Sequence, residues 1–493
     1  MDELTPLSDA ALETLANRVR IPRYDRTRLT PGMVHIGLGN FHRAHQAWYL
    51  HRLMDMGLAH DWAIIGAGVR PADAAQRDRL KAQDCLTTLI ELQPDAVSAE
   101  ITGSMIDFLP VEPNNAALIA QMADPAIRIV SLTVTEGGYY RNAAGGFDEN
   151  HPDIVHDAAH PDKPRTAFGA MIAALRKRRE AGTGPFTGLS CDNLQGNGAI
   201  LRDTVVSLAR MVDAEFASWI DANCTFPNSM VDCIVPATGE KELALAHSFG
   251  IADRAPVTHE HFRQWVIEDR FCRGRPDWDR VGATFSDHVH AYETMKIRLL
   301  NGGHQLLANA GELLSIETIA DCMADPAIQG FFRKVEEEEI APHVSAVPGM
   351  SPAAYVELIE RRFANPAIVD TARRVAFDGS SRHPGFLHPV LRERLDAEKS
   401  VRGLALAEAL WARMCSGRRD DGTEIAPNDP NWEALKSAAA KADQRPRAWI
   451  EQEQFYGDLA KAETFAFAFE HWFVMLQKIG TRRTLETFLK GTI

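Results

Sequence analysis

Four short apolar runs, each ending in a glycine or polar turn, constrain this chain more than any other feature. They are Met33-Val34-His35-Ile36 before Gly37, Trp62-Ala63-Ile64-Ile65 before Gly66, Ile127 to Leu132, and Thr187-Gly188-Leu189-Ser190-Cys191 running into Asp192-Asn193. Helix-patterned sequence lies between and after them, over 114–122, 166–181 and 198–212. Strands that alternate with helices are expected to form a mostly parallel sheet covered on both faces. A leading helix is expected over 8–19, with Ser8 as its cap. After about residue 286 strand-like runs nearly vanish, and helical segments follow at roughly 291–316, 326–342, 352–363, 366–377, 387–415 and 461–489. The expected organisation is therefore an α/β domain over 1–285 and a largely α-helical domain over 286–493. A chain of 493 residues with 45% hydrophobic content can bury two full cores without a disulfide or metal staple.

The formal net charge of −14 argues against nucleic acid and anionic membranes as partners, because both attract basic surfaces. The seven cysteines are odd in number and scattered, which reads as reduced thiols in a reducing compartment. Met1-Asp2-Glu3-Leu4-Thr5 is acidic, unlike a signal peptide, and no apolar run reaches the ~18–20 residues that span a bilayer. A cytoplasmic location is expected. Asp325-Pro326-Ala327-Ile328 and Asn365-Pro366-Ala367-Ile368 read as cap-then-proline helix starts, and the acid run Glu336 to Glu339 as a solvated helix face.

The first strand leads into Gly37-Leu38-Gly39-Asn40-Phe41-His42-Arg43. This is a dinucleotide fingerprint with its third glycine replaced by His42. The first two glycines allow a tight turn and close backbone approach to a pyrophosphate at a helix N-terminus. The third only helps the helix pack on the strand. Candidate cofactor contacts are therefore Ile36 through His42, with Arg43 facing the phosphates. After the second strand, Asp73 is the candidate acceptor for a ribose 2′-hydroxyl, which favours NAD; Arg70 is the competing signal for a 2′-phosphate. Glu136, in Thr135-Glu136-Gly137-Gly138 after the third strand, is placed on the nicotinamide side.

Lys296, Asn301 and His304 form a second constellation, in a segment carrying Gly302-Gly303. At about 100° per residue, Lys296 and His304 lie about 80° apart and Asn301 and His304 about 60°, but Lys296 and Asn301 about 140°. A long lysine can cover that angle, or Gly302-Gly303 can distort the helix. Paired glycines cost roughly 1 kcal/mol each inside a helix, so something is expected to approach that backbone closely. Metal-free oxidation of an alcohol needs a base for the hydroxyl proton and amides or cations to hold the developing alkoxide. A lysine with a lowered pKa can be that base. Catalytic zinc is the chemical rival, and His259-Glu260-His261 is the only dense cluster of ligand types; its spacing resembles a strand that alternates faces, which would separate His259 from Glu260.

These motifs occur in order with Ser190-Cys191-Asp192-Asn193-Leu194, Phe226-Pro227-Asn228-Ser229-Met230-Val231-Asp232 and Asp378-Gly379-Ser380. Together they resemble the polyol-specific long-chain dehydrogenases, from about residue 20 to the C-terminus. The resemblance implies a Rossmann-type N-terminal domain, a helical C-terminal domain and an active site between them. It implies NAD-dependent oxidation of a sugar alcohol, D-mannitol to D-fructose as the leading case. It further implies Lys296 as general base, Asn193 and Asn301 as amides holding the oxyanion, substrate contacts from His304, Asp232 and Arg374, and a proton path near Glu293. The expected partner is a small-molecule polyol or ketose, on a monomer or small homo-oligomer. Cys233, His261 and Gly385 depart from the family pattern. The alternatives are a sibling reaction on arabinitol, sorbitol or a hexuronate, and a dinucleotide-binding sensor without turnover.

Overall fold

The structure, a computed structural model, describes residues 4–142 and 145–491. The chain divides into two compact units, Met1–His290 and Ala291–Ile493. In the first unit, strands β1 (Pro31–Ile36), β2 (Ala63–Ala67), β3 (Met105–Phe108), β4 (Ile129–Leu132) and β5 (Thr187–Ser190) form one sheet. Their order is β3-β2-β1-β4-β5 and every pairing is parallel. The chain moves outward from β1 to β2 and β3, then returns past β1 to β4 and β5. That reversal makes the C-terminal end of β1 the place where an α/β sheet binds ligands.

Alternation along the strands decides the two faces. Val34 and Ile36 of β1 join Val130 and Leu132 of β4 in one core, under helices Ala116–Ala123, Ala167–Glu180 and Asn197–Val212. Met33 joins Ile64, Ile129 and Leu189 on the other face, under helix Gln46–Asp55 and the rings of Trp265 and Trp278. Around the sheet the fold adds further strands, of which the sequence patterns suggested only the one through His259 and Glu260. Thr87–Leu92 pairs antiparallel with Val97–Thr102 and parallel with Val257–Glu260, and Ser229–Asp232 pairs antiparallel with Gln264–Ile267. The leading helix is shorter than expected. A 3-10 turn at Asp9–Ala11 and one α-turn at Leu12–Leu15 replace it, and Ser8 makes no side-chain cap bond.

Among its described residues, the second unit contains no strand. Its central helix, Arg402–Met414, packs on Gly302–Leu313 and on Glu463–Leu489. Asp325 caps Pro326–Val335 as its sequence suggested, accepting from the amides of Ala327 and Ile328. Two expected helices are corrected. Over 366–377 only Ala372–Ala376 is α-helical, capped by Thr371, because Asn365 uses its side chain on the Ala367 amide within a loop. The stretch 387–415 is broken between His388–Asp396 and Arg402–Met414, where Glu398 takes φ 52° and Arg394 binds the Ser400 carbonyl. No helix among the described residues is long and apolar enough to cross a membrane.

Candidate active site

The glycine turn follows β1. Gly37 has φ 90°, and a Cβ there would collide with the carbonyl oxygen of Thr133, so only glycine lets β1 and the chain after β4 approach this closely. Thr133 holds the approach, its hydroxyl donating to the Gly37 carbonyl at 2.6 Å. On the other side of the turn, a Cβ on Gly39 would meet nothing within 4 Å. The turn is thus closed toward the protein and open where a pyrophosphate would approach. These residues fit a dinucleotide.

His42 and Arg43 face inward. His42 is fully buried and stacks on His35 at 3.4 Å between ring centroids. His35 is itself bonded to the Ser131 and Thr133 hydroxyls, at 2.8 and 2.9 Å. The imidazole stack therefore takes the packing role of the missing third glycine. Burial holds the His42 pKa well below the usual histidine value, and His35 adds to that, so the pair is neutral. Arg43, expected to face the phosphates, braces the turn from inside. It is buried and donates to the carbonyl of Ala255 and, at 2.7 Å, to Asn40 Oδ1. Asn40 in turn donates to the Pro236 carbonyl and the Thr238 hydroxyl. Ile36 and Leu38 are buried, and Phe41 stacks on His45.

Asp73 opens helix Asp73–Lys81, and its Oδ2 accepts from the backbone amides of Val69 and Arg70 at 3.0 Å each. Arg70 lies 3.9 Å from Oδ1, a long and exposed pair. Glu136 is exposed in the short turn Glu136–Tyr139. Preceding it, Thr135 is held at φ 69°, an uncommon conformation for a residue with a Cβ. The brace is Asp192, whose carboxylate accepts from the amides of Val134 and Thr135 and from the Tyr139 hydroxyl. Burial raises the Asp192 pKa, while these donors oppose the rise. Asp192 was not among the expected site residues; its partners are more than fifty positions away. Asn193 follows it at the exposed C-terminal end of β5, and Asp232 is buried at the end of Ser229–Asp232.

In the second unit, Lys296 is buried and begins a π-helical segment, Lys296–Asn301, between helices Val289–Met295 and Gly302–Leu313. A π-turn bonds residue i to i+5 rather than i+4. Residues five apart, which an α-helix would separate by about 140°, are brought closer in angle by that wider turn. Lys296 and Asn301 are five apart, so the π-segment lessens the obstacle that α-helical spacing posed. Glu293 is buried one turn earlier. His304 stacks on Phe363 at 4.2 Å, and burial pushes its pKa down to about 4, so it is neutral at pH 7. Asp370 and Arg374 are the charges that act next most strongly on it. Arg374 is paired to Asp370 through two bonds, Nε to Oδ1 at 2.6 Å and Nη2 to Oδ2 at 2.5 Å.

What approaches the paired glycines is Phe332 and Glu336: a Cβ on Gly303 would lie 2.7 Å from the Phe332 ring and 2.8 Å from Glu336 Oε1. The solvated reading of the acid run holds for exposed Glu337 and Glu338 and fails for Glu336 and Glu339. Glu336 is fully buried and neither carboxyl oxygen has a hydrogen-bond partner; Glu339 is buried with its carboxylate on the amides of Gly403 and Leu404. Burial holds Glu336 well above the usual carboxyl pKa, so it is protonated in the fold. Two further π-segments, Glu336–Ile340 and His383–Leu387, pack on Lys296–Asn301. Such segments are rare and concentrate at functional sites.

The buried acid has a measurable consequence. Between the carboxyl pKa of the unfolded chain, about 4.3, and that of folded Glu336, the fold keeps a proton that the unfolded chain releases. Stability therefore falls by up to about 1.4 kcal/mol per pH unit across that window. Glu336→Gln removes the slope. Its unfolding temperature is expected to exceed that of the unaltered chain by a margin that widens as pH rises above the unfolded carboxyl value of about 4.3; a constant margin would show that Glu336 is not protonated.

The side chains of His259, Glu260 and His261 are each engaged separately. His259 binds Arg263 through Nε2 at 2.8 Å, Glu260 accepts from the Ile234 amide, and His261 points outward to Glu91. Among the described residues no group of three or more His, Cys, Asp or Glu is placed to hold a metal ion, and all seven cysteines are free thiols.

Comparison with known proteins identifies the family. The family model for the mannitol dehydrogenase Rossmann domain matches residues 31–280, and that for the mannitol dehydrogenase C-terminal domain matches residues 288–476. The chain belongs to the mannitol dehydrogenase family. Within it, the chain is 55% identical over 475 residues to the mannitol 2-dehydrogenase of Cereibacter sphaeroides, covering 96% of this chain and all of that one. Its fold is similar to Pseudomonas fluorescens mannitol 2-dehydrogenase in ternary complex with NAD and D-mannitol, with TM-score 0.88, 39% identity, and coverage of 99% of this chain and 100% of the other. It is also similar to a substrate-free D-sorbitol dehydrogenase, with TM-score 0.90, 32% identity, and coverage of 98% and 100%.

Proposed function

We propose that this protein is an NAD-dependent dehydrogenase that oxidises a sugar alcohol, D-mannitol foremost, to its 2-ketose, with lysine rather than a metal as the base. The observation that carries this reading is the π-segment that begins at buried Lys296 and ends at Asn301, in a chain whose glycine turn is open for a dinucleotide. NAD, when bound, accepts the hydride from the carbinol carbon. Lys296, as the free amine, takes the hydroxyl proton. Asn193 and Asn301 donate to the oxygen as negative charge develops on it. Neutral His304 fixes a substrate hydroxyl without adding charge. Asp232 and Arg374 take the more distant hydroxyls, and buried Glu293 stands one turn from Lys296 to pass its proton on. A panel of mannitol, sorbitol, arabinitol and keto-hexuronates, assayed with NAD and NADP and their reduced forms, tests the reading. The highest kcat/KM is expected for mannitol with NAD, and absence of turnover on every polyol would leave a dinucleotide-binding sensor instead.

Cofactor choice follows from Asp73. Two backbone amides fix its carboxylate, which leaves Oδ1 to accept from a ribose 2′-hydroxyl and to repel a 2′-phosphate. NAD is expected to exceed NADP in kcat/KM, and Asp73→Ala to narrow the gap. A native preference for NADP would mean that Arg70 governs this corner.

A further inference from the structure

We propose that Asp370 is a specificity-determining residue: by holding Arg374 in a two-bond ion pair it makes this part of the site accept an uncharged polyol or ketose and refuse a hexuronate. The inference deepens the proposed function and rests on it. Asp370 is set in place before any ligand arrives. Its carbonyl accepts from the Ile319 amide at 2.9 Å, and Thr371 beside it caps the helix that carries Arg374. The Asp370 side chain is 7% exposed, while that of Arg374 is 64% exposed. The carboxylate thus lies beneath the guanidinium and occupies its Nε–Nη2 edge, leaving Nη1 outward. Exposed Val369 and Phe377 flank the pair in sequence.

This arrangement discriminates by charge. An unpaired arginine fork binds a carboxylate through two parallel bonds. Here that edge is already filled by a carboxylate, so a ligand carboxylate meets one remaining edge and the repulsion of Asp370 behind it. A hydroxyl oxygen needs only a single donor, which Nη1 supplies. Like-charge juxtaposition is a common way to reject a near-isosteric ligand. Asp370 and Arg374 both act on His304, which places the ion pair within electrostatic reach of the same substrate.

The test compares reduction of a 2-ketohexose with reduction of a keto-hexuronate of the same carbon skeleton, by the native enzyme, Asp370→Asn, and Asp370→Asn with Arg374→Gln. Asp370→Asn is expected to shift the kcat/KM ratio toward the keto-hexuronate by about tenfold or more, a change of about 1.4 kcal/mol, and the double variant to lose that gain. A structural role alone would lower both activities together. If Asp370→Asn does not fold, inhibition of the native enzyme decides: the keto-hexuronate is expected to bind at least about tenfold more weakly than the ketose. An unchanged ratio in a folded Asp370→Asn, or equal binding by the native enzyme, overturns the inference. Failure of the native enzyme on every polyol and ketose overturns the proposed function instead.

Discussion

Lys296→Ala is expected to lower kcat for polyol oxidation by several orders of magnitude, at or beyond the upper end of the ~10²–10⁴ that general acid–base catalysis contributes. NADH should still bind, because the dinucleotide turn belongs to a different part of the chain from Lys296. Oxidation needs the neutral amine, so its rate should rise with pH as the lysine loses its proton. Ketose reduction needs the ammonium and should fall through a pKa of the NADH complex. That second value should be the higher one, since the reduced ring no longer carries the positive charge that disfavours the ammonium. Added primary amines should restore part of the oxidation rate, more so at higher pH. Near-normal kcat with an unchanged pH profile would move the base elsewhere, with His304 the first candidate. Its pKa of about 4, however, makes it a poor base at neutral pH.

Asn193→Ala and Asn301→Ala should each lower kcat by about 10²–10³ with a smaller effect on KM. The amides act on charge that grows toward the transition state, so their loss is felt in kcat. For Asn301 the expectation depends on the π-segment, which brings it closer in angle to Lys296. Insertion of one residue into Lys296–Asn301 would change that spacing and should be as damaging as either substitution. A change confined to KM would make the two residues substrate-positioning groups.

The features legible in the sequence are those carried by local pattern. The G-x-G turn after an apolar run identifies β1 and the cofactor end of the sheet, and loss of strand patterning identifies the helical second unit. The residues of the candidate catalytic constellation are visible in order, but their geometry is not. A reading at 3.6 residues per turn puts Lys296 and Asn301 far apart, and a change from i+4 to i+5 hydrogen bonding leaves no mark in composition beyond the paired glycines. Those glycines did announce a close approach, although not that Glu336 makes it. Four consecutive acids read as solvated because ionised carboxylates avoid interiors; only the packing around Glu336 shows one kept protonated. His42 looked like a defect in the fingerprint until its stack on His35 supplied the contact. Asp192 and Asp370 act through backbone amides and an ion pair whose meaning is set by partners elsewhere in the fold, and no spacing rule points to them.

Alcohol oxidation by a lysine base without a metal is tested by assaying D-mannitol with NAD before and after prolonged chelation and desalting. The expected result is an unchanged rate of NADH formation, with D-fructose accumulating in equal amount. Activity lost on chelation and restored by zinc would contradict the claim and return attention to His259, Glu260 and His261.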